Sequence, residues 1–113
     1  MIQPGVFNIK LQRRADYSVV LEFKDSIGDP VNLTGCTVAA QVWDPSRTTK
    51  YADFTTIYVD RTLGKVRLKL SYTVTETLPS ESTYDVLIIN ASGDREYYLE
   101  GTITASEGYT AIP

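Results

Sequence analysis

The sequence predicts an all-β fold, a two-sheet antiparallel sandwich of about seven strands. Two observations predict it. Short segments alternate apolar and polar residues with period two, as in Val66, Leu68 and Leu70 against Lys65, Arg67 and Lys69. Clusters of turn formers separate the segments, among them Asp29-Pro30, Asp44-Pro45-Ser46, Leu63-Gly64, Leu78-Pro79 and Gly93-Asp94.

Phe7, Ile9 and Leu11 give the first strand one apolar face, and Tyr17, Val19, Leu21 and Phe23 do the same for the second. Val38, Ala40 and Val42 form the inward set of the third strand, with Gln41 and Trp43 facing out. Between Thr48 and Val59 a fourth strand is expected, but both parities carry apolar residues and its register is open. Lys65 to Leu70 is the fifth. Thr73 to Leu78 has room for a single helical turn before Pro79. Tyr84-Asp85-Val86 opens the sixth strand, and Tyr97, Leu99 and Ile103 are expected to face inward on the seventh. Gly101 interrupts that strand, which predicts a bulge or a close backbone approach.

At 113 residues the chain has room for one core, and it reads as a single sandwich domain over 1–113, with the core about 6–106 and short arms at Met1 to Gly5 and Glu107 to Pro113. The start shows no basic leader followed by an apolar stretch, and apolar runs such as Val86 to Ile89 are strand-length, so folding in a cytoplasm without membrane insertion is expected. The lone Cys36 cannot form an intrachain disulfide and reads as a small buried side chain. Histidine is absent, which removes the commonest general base and the usual zinc or copper ligand. No catalytic set, metal site or cofactor is expected.

Leu78-Pro79-Ser80-Glu81-Ser82-Thr83-Tyr84 resembles the tyrosine corner of immunoglobulin-like and fibronectin type III sandwiches. That resemblance implies structural roles for Leu78 and Tyr84. The Tyr84 ring would pack under the crossover while its hydroxyl bonds upstream backbone and ties the two sheets.

Four groups of residues are candidate sites. Asp25 and Asp29 bracket a loop, where turn chemistry competes with calcium binding. Trp43, Tyr72, Tyr97 and Tyr98 are candidates for an exposed aromatic surface that would take a sugar or a partner, although core packing competes for each. Glu96 and Glu100, four apart on one strand, are expected on the same side, a spacing loosely suited to a carboxylate pair. Lys65, Arg67 and Lys69 make a basic stripe, for which a solvated or edge-protecting face competes with an assembly interface. Residues 1–70 hold ten of the eleven basic side chains, so the stripe could meet the acidic C-terminal segment of a neighbour, including Glu96 and Glu100. A net charge of −3 without a recognition motif argues against nucleic acid.

The succession Asp29-Pro30-Val31-Asn32-Leu33-Thr34-Gly35, Val38 to Val42, Gly64 to Leu68, Leu78-Pro79, Tyr84-Asp85-Val86 and Tyr98 to Thr104 resembles small immunoglobulin-like virion proteins of tailed bacteriophages. It is similar to the N-terminal domain of siphophage upper baseplate proteins and covers Phe7 to Ser106. The resemblance implies a non-enzymatic tail, baseplate or head-decoration subunit in a virion, made in the host bacterial cytoplasm. It would act as a repeated subunit or homo-oligomer among other virion proteins. A carbohydrate-binding module and a prophage-derived cellular scaffold are the alternatives.

Overall fold

The computed structural model describes residues 5–110. Nine strands and one short helix follow in order: β1 (Gly5–Val6), β2 (Ile9–Gln12), β3 (Tyr17–Glu22), β4 (Thr37–Trp43), β5 (Lys50–Asp53), β6 (Thr55–Asp60), β7 (Lys65–Leu70), α1 (Tyr72–Thr75), β8 (Glu81–Ile89) and β9 (Arg95–Ser106). One sheet has the order β1-β9-β8-β4-β5, with β2 also on β9, and the other is β3-β7-β6. β3, β7 and β6 thus face β4, β8 and β9, the division between two sheets of the immunoglobulin sandwich. The core lies between them and includes Ile9, Leu33, Val42, Val66, Leu68, Val86 and Ile103, all with 2% exposure or less.

The expected seven strands become nine because two are divided. The fourth splits at Phe54, whose buried ring marks the crossing from one sheet to the other. β5 pairs with β4, and β6 pairs with β7. The Phe54 N–H donates to the Ala40 carbonyl (2.9 Å), so backbone pairing with β4 persists through the crossing. The first expected strand divides at Phe7-Asn8, and its two parts lie parallel to β9, a departure from a wholly antiparallel sheet. First and last strands share no hairpin, so nothing forces them to run antiparallel. Phe7 itself is 41% exposed at this edge instead of joining Ile9 and Leu11 in the core.

Tyr84 is buried in the middle of β8, where its ring meets Phe54 edge to face with centroids 5.9 Å apart. Its hydroxyl donates to the Phe7 carbonyl at 2.5 Å. The bond therefore ties the first strands to their own sheet, across β9, and does not join the two sheets as a tyrosine corner would. Gly101 stands opposite Tyr84, and a Cβ built there would lie 2.1 Å from the Phe7 oxygen. Glycine is required at that point by the close backbone approach.

A different tyrosine links the sheets. β5 covers β4 only over Gln41 to Trp43, and beyond it the Val38 N–H donates to the Tyr58 hydroxyl on β6 (2.9 Å). The Arg61 guanidinium lies 3.6 Å from the Tyr58 ring centroid and donates to the Cys36 carbonyl at 2.8 Å. Cys36 is half-buried there, less enclosed than its flanking sequence implies. Leu78 is buried and its carbonyl accepts from Arg13 Nε at 2.7 Å.

Arg13 and Arg14 both pair with Glu107, and Arg14 also donates to the Gly108 carbonyl (2.6 Å), so the start of the expected C-terminal arm is clamped to the β2–β3 turn. The outer parts of both arms, Met1 to Pro4 and Ala111 to Pro113, lie outside the described residues.

Tyr84→Phe should cost about 1–3 kcal/mol by leaving a carbonyl unpaired, and Tyr84→Ala about 3–5 kcal/mol, both read by chemical denaturation. Gly101→Ala should be as damaging as the phenylalanine variant or more so, at about 1–3 kcal/mol, because Phe7 backbone must move. The buried Ser82 hydroxyl has no hydrogen-bond partner among the described residues. Ser82→Ala should therefore be neutral or raise the denaturation midpoint.

Candidate functional site

The outer face of the β1-β9-β8-β4-β5 sheet carries a cleft of about 600 Å³. Strand register builds it in rows. Trp43, Thr83 and Thr102 form one row across β4, β8 and β9; Gln41, Asp85 and Glu100 form the next; Ala39, Leu87 and Tyr97 form the third. Asp53 on β5 extends the middle row beyond Gln41.

The β4–β5 turn fixes one end. The Asp44 carboxylate accepts from the Ser46 and Thr48 hydroxyls and from the Thr48 and Thr49 N–H groups, all within 2.5–2.8 Å. These donors, led by the Ser46 hydroxyl and the Thr49 N–H, hold its carboxyl well below the usual carboxylate range. Arg47 sits in this turn with φ of 59° and places its guanidinium 4.9 Å from the Trp43 ring centroid. The Trp43 Nε1–H donates to Gln41 Oε1 at 2.9 Å, so the indole is pinned on both counts.

Asp85 and Glu100 are directly opposite on adjacent strands, in the middle of the cleft. Burial, and then the Glu100 charge, raise the Asp85 carboxyl above its ordinary value, while Arg47 opposes the shift. Neither acid forms an ion pair among the described residues. Asp53, by contrast, is paired with Lys50 at 2.9 Å.

Glu96 is not beside Glu100. Leu99 pairs with Val86 while Tyr97 pairs with Leu87, so Tyr98 is an extra residue, a bulge that reverses the facing of everything before it. Glu96 then stands opposite the inward Ile88, and the two glutamates belong to different faces. The same bulge turns Tyr97 outward, 49% exposed, against the inward facing that alternation predicts. Tyr98 is half-buried instead of exposed, edge to face with Phe23 at 5.9 Å. Tyr72 lies on α1, its N–H bonded to Asp16 Oδ1 at 2.7 Å. Trp43 and Tyr97 line the cleft together, while Tyr72 and Tyr98 lie apart from it.

Lys65, Arg67 and Lys69 occupy β7, the central strand of the other sheet, so they protect no edge. Their side chains share its outer face. Arg67 has Val20 of β3 on one side and Ile57 of β6 on the other, 46% and 44% exposed. The three cations are without ion-pair partners among the described residues. Asp25 serves its own turn, where Oδ1 accepts from the Ile27 and Asp29 N–H groups. No group of three His, Cys, Asp or Glu side chains suited to a metal ion occurs among the described residues.

Sequence reasoning missed Asp85. The signal was present in its position on β8, one strand from Glu100, but the pairing depends on the bulge at Tyr98 that no local pattern announces.

No protein-family model and no curated protein sequence matches the chain. Among solved structures it is similar to the crystal structure of the Lin-41 filamin domain, with 17% identity over 88% of this chain and 84% of that one and a TM-score of 0.49. The strand order described above defines the immunoglobulin-like class without recourse to that likeness.

The raised Asp85 carboxyl has a signed consequence. Its ionised form is disfavoured in the folded chain, so stability is lost as pH rises through its unfolded and then its folded value. Asp85→Asn should raise the thermal midpoint of the monomer near pH 7 and leave it unchanged near pH 2.5, where the aspartate is already neutral.

Proposed function

We propose that this chain is a non-enzymatic structural subunit of a tailed-bacteriophage particle, a tail, baseplate or head-decoration module that works by protein–protein assembly. Its partners are other virion proteins and further copies of itself, and its place is the assembled virion. The observation that carries the assembly reading is the pairing of exposed apolar groups with unpaired charge on both outer sheet faces. Val20 and Ile57 flank Arg67 on one, and Tyr97 lies one row from Glu100 on the other. Apolar and aromatic groups beside arginine are the composition of a protein-contact surface. The order and spacing of the turn and strand motifs from Phe7 to Ser106, similar to virion proteins, support the particle as the setting.

The cleft supports binding over bond-breaking chemistry. Asp85 and Glu100 stand on adjacent strands, yet no nucleophile, base and orienting group converge on them among its lining residues. A pinned Trp43 with Arg47 against its ring has less free surface for a sugar than an open indole would.

Particles purified through a density gradient should contain the chain at a fixed ratio to the major structural proteins, read by quantitative mass spectrometry. Loss of the chain on repeated banding, with the other proteins retained, would reject the virion assignment.

A further inference from the structure

We infer that copies of this chain stack head to tail through their sheet faces, with Arg67 of one copy seated between Asp85 and Glu100 of the next. The inference rests on the assembly reading above and names the partner of the cleft as a second copy. Three observations carry it.

The first is charge left unpaired on both sides. Asp85 and Glu100 are like charges set directly opposite on neighbouring strands, an arrangement that costs stability and that Arg47 at the cleft's end offsets only in part. On the opposite face Arg67 and Lys69 have no ion-pair partner among the described residues and no acid directly across from them, whereas Lys65 stands between Glu22 and Asp60. A guanidinium suits the place best, because its planar fork can donate to two carboxylates at once.

The second is matched surroundings. Val20 and Ile57 flank Arg67, while Leu87 and Tyr97 form the row beside the acidic pair. Apolar groups around a central ion pair keep water from it. The chain extends 43 × 29 × 23 Å, so a broad face readily offers the roughly 800 Å² per partner of a specific interface.

The third is the placement of the two faces. The two faces are on opposite sides of the sandwich, which makes the contact heterologous, and a heterologous contact propagates into a ring or a fibre.

The test uses the full chain in sedimentation-velocity runs at low salt over a range of concentrations. Wild type should give species larger than a dimer that dissociate as salt rises. R67E and the double variant D85N/E100Q, which removes the acidic charges without reversing them, should each be monomeric, with unchanged circular dichroism. Mixed in equal amounts they should form a one-to-one dimer and nothing larger, since each keeps one intact face. Should either variant fold poorly, R67Q and E100Q read the same contact as at least about tenfold weaker association.

Wild-type assembly that survives both charge variants overturns the stacking contact, as does a mixture that stays monomeric or grows past a dimer. A chain that is monomeric at every concentration yet present in purified particles overturns stacking and leaves the virion reading intact. Stacking as described by a chain absent from particles has the reverse meaning.

Discussion

The bond from the Tyr84 hydroxyl to the Phe7 carbonyl is the constraint on which the edge of the larger sheet depends. A buried phenol requires an acceptor, and Tyr84 reaches one from the middle of β8 by crossing β9. Gly101 provides that passage. The Phe7 carbonyl leaves the ladder to meet the phenol, and Asn8 compensates by accepting from the Thr102 N–H through its side chain at 3.1 Å. Register is kept on both sides of the interruption, with Val6 opposite Glu100 and Ile9 opposite Ile103. The first strands are thus sealed onto the last, and the ring that seals them also packs on Phe54 where the chain changes sheets.

At the opposite edge the same accounting is settled by different means. β5 is too short to cover all of β4, and the uncovered Ala40 carbonyl and Val38 N–H find the Phe54 N–H and the Tyr58 hydroxyl. Each satisfied group is a modest gain, whereas a buried unsatisfied one costs the whole desolvation penalty. Polar satisfaction at the two ends of the larger sheet therefore determines which aromatic residues are structural: Tyr84, Tyr58 and Phe54 are held by the fold, and Tyr97 is left to the surface.

Much of this was legible in the sequence wherever one face is fully buried. β7 reads cleanly because Val66, Leu68 and Leu70 are all core and Lys65, Arg67 and Lys69 all face out. Gly101 was legible as a close approach because a lone glycine inside a strand has few other uses. The divided fourth strand was not, since Tyr51 to Val59 serves two sheets in turn and neither parity dominates. The tyrosine-corner reading placed Tyr84 in the core with its hydroxyl on upstream backbone but had that bond tie the two sheets, because an acceptor 77 residues away, in the same sheet, leaves no local trace. The bulge at Tyr98 had the largest consequence for the candidate site. One inserted residue exchanged Glu96 for Asp85 as the neighbour of Glu100, and no alternation pattern reveals a single extra residue between two apolar positions.

That exchange alters what the face can do. Glu96 and Glu100 on one strand would stand about two pleats apart and could each be solvated alone. Asp85 stands opposite Glu100 on the adjacent strand, and its burial first, then the Glu100 charge, disfavours its ionised form. Arg47 offsets part of that cost from the β4–β5 turn, but it is committed to Trp43. An amide at either position would preserve the strand and remove the repulsion. The stacking contact inferred above would offset that stability cost from outside the monomer, with Arg67 of the opposite face, which has no ion-pair partner among the described residues, as the cation. The fold supplies the two sheets and the ties at their edges, and leaves to their outer faces the side chains that the core does not use.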